Sequence, residues 1–577
     1  MIIYSHNLNL KDGKAFLFLE PINKQLHSSR SLPIFSLLCS LLMEKFHCFC
    51  CSAASCLSWC CRKSLDFFSS SYKAALLRLN PFCFQLFYFL FVSLLGFFFL
   101  RVFDLRPVPK VAKFGASNLD LFFMSVSAIT GSSLVSIPME DFSGPQLVVL
   151  IILMFLGGDV FTSMVSLHLE RYKLVHEVES GEESRFKSDV ELAIQCNFSS
   201  SSNNNNNSSS SPNMNFTTTG TEDVSQRIKC LSYMRNLMLG YLVLVQLCGV
   251  ALILLHLWLS ESTRRILQQK RIRPVLFSVF TSVSSFVNCG LIPNNENMMA
   301  FKEDSVLLLL LMPLVTMGST MFPPCLNLLL WTLERTFPRE ELHYLKENAG
   351  QVGFDHLLPL KSSLFLAASG VGFTWLQFVL FCCLQWNSEA ARGLDSFRKV
   401  IAGLFQSIVS RYSGESVFDL SLFSPALLAV YIVMMYIPSC TFLIPSKKTD
   451  LQFNSKERKG RGAEALAMWL PPLVVYPVIF VVLICMTEQT HIYLDPLNFS
   501  IFNITFEVIS AYGNVGLSVG YSCERLLRVT RNGHCRNTSL SFSGIWSKKG
   551  KIVIIIVMFF GKLKKFAASG GKAWRTM

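Results

Sequence analysis

Read for its apolar and polar positions, the chain resolves into eight long apolar runs, at about 82–103, 145–167, 235–260, 304–332, 361–386, 418–443, 467–487 and 541–563. Each holds roughly 20 apolar residues, the length a helix needs to cross a hydrocarbon core. Between the runs of each successive pair lies a shorter apolar segment that closes on a small residue. The four closures are Ser133 in SAITGSSL, Gly290 in SSFVNCGL, Gly414 in SRYSGES and Gly516 in AYGNVGL. Segments of about 12 apolar residues are too short to span, so each is expected to dip into the membrane and return. Irregular backbone at that depth survives only where protein or a water-filled path surrounds it. The pattern therefore predicts an all-α membrane protein: four membrane-pore-membrane repeats, with eight transmembrane helices plus four re-entrant pore loops, around one central pore.

The repeat extends to single residues. Phe123, Ser125 and Ser127 precede Ser133 at the same distances as Phe280, Ser282 and Ser284 precede Gly290. Phe506 and Ser510 keep two of those places before Gly516, whereas the third loop is looser, with Leu404 and Phe405 ahead of Gly414. Beyond each loop a helix-weakening residue recurs in the second span of the repeat: Gly157, Gly318, Pro438 and Gly561. Two readings stand, close helix packing or a bend beneath the loop, and they are compatible. Asp159 and Lys562 lie beside two of these residues. Charge inside a span points to function by default, although Lys562 can also snorkel to the surface with Lys564 and Lys565.

The spans divide the chain into a Cys-rich N-terminal extension (1–75), repeat 1 (76–167), an Asn/Ser-rich loop (168–231), repeat 2 (232–333), a mixed-charge loop (334–358), repeat 3 (359–443), a basic loop (444–465) and repeat 4 with a basic tail (466–577). The tract SSSSNNNNNSSSS cannot bury a core and is read as disordered. Lysines and arginines concentrated in 446–462 and in the C-terminal tail mark the cytosolic side, so both termini are expected in the cytosol. Arg264, Arg265, Lys270, Arg271 and Arg273 fall on the opposite side, just before the second loop, and the sequence offers no reason for them.

Composition sharpens the class. Of 577 residues, 51% are hydrophobic, 50 are Phe and only 16% are charged, which excludes an ordinary solvated domain and makes membrane lipid the solvent. A net charge of +14 would suit nucleic acid, but the basic residues are dispersed through loops, so the expectation is anionic headgroups and no nucleic acid. Seven of the 19 Cys precede residue 62 without zinc-site spacing, and that cluster either carries acyl chains or has no role. No cofactor is expected. The absence of G-x-x-x-x-G-K-[ST] argues against an ATP-driven pump, and the absence of H-E-x-x-H argues against a metalloprotease. Asn498, Asn503 and Asn537 sit in sequons near the fourth loop, on the expected outer side, and are glycosylation candidates, whereas Asn197 lies in a cytosolic loop and is expected bare. An assembly of identical copies is compatible with the sequence.

The loops suit a cation. A filter replaces the hydration shell of an ion with backbone carbonyls, and glycine turns the chain without steric cost. Three closures are Gly and the first is Ser133, whose Cβ restricts the dihedrals that aim a carbonyl inward, so an asymmetric ring is expected. A short helix before each loop would point its partly negative C-terminal end at the centre. Glu296 and Glu415 follow two closures and either line an outer cation site or are solvated residues of the mouth.

With these motifs in place, the chain from about residue 82 onward resembles the plant HKT family of the Trk/Ktr/HKT cation transporter superfamily. SVSAIT with MEDFS, ILMFLGGD, SVFTSVSSFVNCG with IPNNENM, SRYSGE, ISAYGNVGLSVGYSC, KIVIIIVMFFGKLKKF and GGKAW carry the likeness. The resemblance implies four repeats around one permeation path at the plasma membrane. It implies that Ser133 with Gly290, Gly414 and Gly516 forms the selectivity filter, matching the Ser-Gly-Gly-Gly subfamily that takes up Na+, with K+ or mixed Na+/K+ transport as the alternative. A role in sodium homeostasis under salt stress follows from it. Gly131, Leu134, Leu291 and Leu517 depart from the usual Val, Met, Phe and Phe of that family, and Lys562 stands where Arg is usual.

Overall fold

The computed structural model describes residues 81–106, 117–172, 174–175, 218–336, 360–437, 472–522 and 541–568. The N-terminal extension, the Asn/Ser tract, the basic loop, Pro438, Asn197 and Asn537 lie outside these residues. Among them the architecture is helical. Repeat 1 contributes α1 (Pro81–Val102), the short α2 (Asn118–Thr130), and α3 (Gly144–Gly157) followed by α4 (Asp159–Tyr172). Repeat 2 contributes α5 (Thr218–Leu259), α6 (Glu261–Gln269), α7 (Pro274–Val287), α8 (Ser305–Met317) and α9 (Phe322–Thr336). Repeat 3 has α10 (Leu360–Gln385), α11 (Ser396–Tyr412) and α12 (Pro425–Tyr436). Repeat 4 has α13 (Pro472–Thr487), α14 (Gln489–Leu494), α15 (Ile501–Gly513) and α16 (Lys548–Ala568).

Each of the eight predicted runs is represented by helix. By length and composition, three of the described helices can cross a membrane, and up to five spans result if each bent pair counts as one. Helices α12 and α13 lie next to residues outside the description, and α16 carries lysines near both ends, so those three are not counted among the full spans. The second spans of repeats 1 and 2 are broken, by 55° between α3 and α4 and by 83° between α8 and α9. The breaks fall at Gly157–Gly158 and just past Met317, where the sequence places its recurring glycines.

Local chemistry explains the short helices. Ser117 and Asp120 form a capping box at the start of α2, with Ser117 N–H donating to Asp120 Oδ2 at 3.1 Å and Asp120 N–H to Ser117 Oγ at 3.3 Å. Ser500 Oγ accepts from Asn503 N–H at the start of α15, and Pro274 opens α7, where its missing N–H costs nothing. Each short helix is buried along most of its length, so its polar side chains need partners inside the protein. Serines find some of them on the first span of the same repeat: the recurring Ser125 and Ser282 donate through Oγ to Ser93 O (2.7 Å) and Gln246 Oε1 (3.1 Å), and in repeat 3 Ser410 Oγ donates to Gln377 Oε1. The first spans turn Phe87, Phe91, Phe98, Leu247, Trp258 and Trp375 outward, a surface that only a membrane solvates well.

Candidate functional site

Helices α2, α7, α11 and α15 deliver the four closing residues to one place. Ser133 presses its side chain between two of the others: a Cβ built on Gly414 would meet Ser133 Oγ at 2.5 Å and Gly516 O at 2.8 Å, and one on Gly516 would overlap Ser133 Cβ and Ser132 O. A Cβ on Gly290 would lie 2.7 Å from Gly414 Cα. Three of the four positions therefore leave no room for a side chain, and the fourth side chain fills the gap between repeats 3 and 4. All four residues line one cavity of about 530 Å³, together with Asn297, Asp419 and Tyr521 from the segments that follow three of them.

The backbone repeats as well, with one exception. In repeats 1, 2 and 4 the short helix ends on a left-handed residue two positions before the closure: Gly131 (φ 70°), Asn288 (58°) and Asn514 (52°). The closing residue is then left-handed too, at 53° for Ser133, 78° for Gly290 and 91° for Gly516. Asn is the non-glycine residue best suited to that region, so the Gly, Asn, Asn series was the sequence signal for these caps. In repeat 3, α11 continues through Tyr412 into an extended Ser413 (φ −150°), and Gly414 is not left-handed. Ser133, whose Cβ was expected to restrict its backbone, is left-handed like the closing glycines of repeats 2 and 4, and the departing backbone belongs to Gly414.

On the other side of the ring the recurring glycines meet the ends of the short helices. A Cβ on Gly157 would overlap Ile129 O, one on Gly318 would overlap Phe286 O, and one on Gly561 would overlap Tyr512 O. Each carbonyl belongs to the residue four places before a closure, so close packing and, in repeats 1 and 2, the bend occur together. Asp159 and Lys562 meet each other here across repeats 1 and 4, with Lys562 Nζ 2.7 Å from Asp159 Oδ1 and the lysine 3% exposed. Lys562 is thus held inside the protein rather than snorkelling. Lys564 donates to Tyr512 O at 2.7 Å and lies 3.6 Å from the Tyr512 ring centre, placing a second cation at the C-terminal end of α15.

The mouth differs from expectation at Glu415. Glu415 is fully buried and accepts a hydrogen bond from Ser285 Oγ at 2.6 Å, so it ties the third loop to α7 instead of lining the mouth. Glu296 stays half exposed at the rim, where Lys270 sits 3.1 Å from it and 3.0 Å from Glu140. Burial works against the charge of Lys270, but its bonds to Glu140 and Glu296 outweigh it and raise its pKa. That arrangement gives one member of the basic cluster a reason: it neutralises two carboxylates from two repeats. Glu140 also joins Asn295 through Glu140 N–H to Asn295 Oδ1 (3.2 Å) and Asn295 N–H to Glu140 Oε1 (3.2 Å). The sequon residue Asn498 is buried and donates to Asp495 Oδ2 (2.8 Å) and Ser522 O (3.0 Å), while Asn503 Nδ2 donates to Asn498 O at 2.9 Å. Asn503 remains partly exposed.

Four hydrophobic repeats converge on one ring of small residues, and Lys562 and Lys564 lie against the helices that carry it. Residues 220–450 and 468–569 match the TrkH family model, described as a cation transport protein. "Cation transporter HKT1;3" of Oryza sativa subsp. japonica is 40% identical over 497 residues, covering 86% of this chain and 91% of its own length. "Sodium transporter HKT1" of Arabidopsis thaliana is 38% identical over 475 residues, covering 79% and 88%. The crystal structure of the potassium transporter TrkH from Vibrio parahaemolyticus aligns over 85% of this chain and 84% of its own at 16% identity, with a TM-score of 0.43. The chain is a multi-pass membrane transporter of monovalent cations, and its relatives are transporters rather than enzymes. Within the Trk/Ktr/HKT superfamily it belongs to the HKT family.

Proposed function

We propose that this transporter is a Na+-selective, channel-like uniporter of the plasma membrane whose filter is Ser133, Gly290, Gly414 and Gly516. One observation carries the reading: the Ser133 side chain packs against Gly414 and Gly516, so a hydroxymethyl group narrows the ring on one side and favours the smaller ion. The name of the Arabidopsis relative and the resemblance to the Ser-Gly-Gly-Gly subfamily support the same ion. In this reading the 530 Å³ cavity is the outer mouth, both termini are cytosolic, and Lys562 with Asp159 forms a fixed barrier on the inner side. Transport is passive, since each charge moved is worth roughly 2.3 kcal/mol per 100 mV and the sequence carries no nucleotide-binding loop. Sodium homeostasis and salt tolerance are the physiological role, Asn498, Asn503 and Asn537 are the glycan candidates, and lipid surrounds a single copy or an assembly of copies.

A second reading, K+ or mixed Na+/K+ transport, draws on the left-handed backbone of Ser133, which presents its carbonyl as glycine would. Voltage-clamp reversal potentials in mixed Na+/K+ solutions separate the two. The Na+ reading expects the wild-type reversal potential to follow the Na+ gradient and Ser133→Gly to move it toward the K+ potential. A wild-type potential that tracks K+ would replace the first reading with the second.

A further inference from the structure

We propose that Asn297 is a further specificity-determining residue, because it occupies one carbonyl of the ring; the proposal rests on the four closing residues being the filter. Asn297 Nδ2 donates to Gly414 O at 2.9 Å, joining the segment after the second closure to the third closing residue. The direction of the amide is fixed by its other end, since Asn297 Oδ1 accepts from Met298 N–H at 2.8 Å and only the nitrogen remains to face Gly414. The backbone is held as well: Asn297 is left-handed at φ 53°, and its carbonyl accepts from Asn294 Nδ2 at 3.0 Å. Asn297 lines the same cavity as the ring.

Gly414 is the closing residue whose backbone departs from the other three. The amide bond to its oxygen and that departure coincide, and the asymmetry of the ring therefore has a second source beside Ser133. A carbonyl that accepts an amide hydrogen has part of its field cancelled and one lone pair committed. The number and field strength of carbonyl dipoles bear on the choice between Na+ and K+, and a larger ion is accommodated by more ligands. With Gly414 O engaged, the ring offers fewer oxygens at full strength, which suits Na+. Release of that oxygen adds a ligand and favours K+.

The test is two-electrode recording of the full chain under bi-ionic Na+/K+ conditions, with surface abundance measured in parallel. Asn297→Ala and Asn297→Asp both remove the donor, and both are expected to raise the K+ to Na+ permeability ratio two- to tenfold, about the range one net hydrogen bond carries. Asn294→Ala, which removes only the brace on Asn297, is expected to give a smaller rise. A merely structural role would lower current and surface abundance and leave the ratio unchanged. If the ratio is unchanged in both Asn297 variants while Ser133→Gly shifts it, the inference falls and the filter stands. A shift in Asn297→Asp alone would assign the effect to charge and also overturn the inference. If Ser133→Gly leaves the ratio unmoved as well, the filter reading itself is lost. Should the Asn297 variants not reach the surface, Asn294→Ala decides, and an unchanged ratio there rejects the proposal.

Discussion

Gly318→Ala is the substitution whose cost the structure defines most sharply. The added Cβ would overlap Phe286 O and stand 2.7 Å from Phe286 C, where carbon atoms in contact need about 3.5 Å or more. The obstruction is backbone at the end of α7, four residues before Gly290, so no flexible side chain can swing aside. Overpacking costs about 1–3 kcal/mol, and a backbone obstruction belongs at the upper end, so we expect a loss of about 3 kcal/mol. Gly240 provides the control, because it lies exposed in the middle of α5 with nothing within 4 Å of an added Cβ. Gly240→Ala should gain about 0.4–1 kcal/mol from the reduced freedom of the unfolded chain. Two chemically identical changes thus differ by roughly 4 kcal/mol, a large part of the ~5–15 kcal/mol that holds a typical protein folded. Thermal unfolding of detergent-solubilised protein and tracer Na+ flux read both effects. Gly318→Ala should lose stability and flux, and Gly240→Ala should keep both. Equal behaviour of the two variants would refute the close approach and, with it, the role given to Gly157 and Gly561.

Removing one partner of the Lys562–Asp159 pair leaves a largely buried charge behind, so Lys562→Met should cost roughly 3–5 kcal/mol. Adding Asp159→Asn should recover part of it, and a double-mutant cycle in unfolding with a coupling below about 0.5 kcal/mol would dismiss the pair as a structural unit. Lys270→Gln should change stability by no more than about 1 kcal/mol, because its partners are partly exposed. It frees the charges of Glu140 and Glu296 at the mouth, so cation current at about 10 mM salt should rise relative to wild type and the difference should fade near 150 mM, where screening shortens to about 8 Å. An effect independent of ionic strength would speak against the electrostatic explanation.

Much of this architecture was legible in the chain, and the reasons are specific. Run lengths of about 20 apolar residues located the spans, because a membrane imposes that length on any helix that crosses it. The Phe and Ser spacing before Ser133 and Gly290 revealed the repeat, since equivalent helices need equivalent anchors: Ser125 to Ser93, Ser282 to Gln246. The glycines at 157, 318 and 561 were legible as weak points but not as contacts, because a carbonyl on another helix leaves no trace in local sequence. Pairings across repeats were the least visible. Lys270 with Glu140, Lys562 with Asp159 and Asn297 with Gly414 join residues more than a hundred positions apart, and one sequence holds no record of which distant groups meet.

The third repeat ties these strands together. Its loop was the looser one in sequence, and Tyr412 stands where the other repeats have Gly131, Asn288 and Asn514. An aromatic residue resists the left-handed conformation that ended those three helices, so α11 runs one residue further, Ser413 is extended, and Gly414 enters the ring without the left-handed turn. Tyr412 is held there, since Thr320 Oγ1 donates to its hydroxyl at 2.9 Å from repeat 2. Asn297 and Ser285, also of repeat 2, secure Gly414 O and Glu415 on the same loop. Repeat 2 thus adds polar contacts at Tyr412, Gly414 and Glu415 to those that repeat 3 makes within itself. The pseudo-fourfold backbone explains why a ring forms at all. Its asymmetry includes two separate chemical facts, a hydroxymethyl group at Ser133 and an engaged carbonyl at Gly414, and the proposed filter places ion selectivity on both.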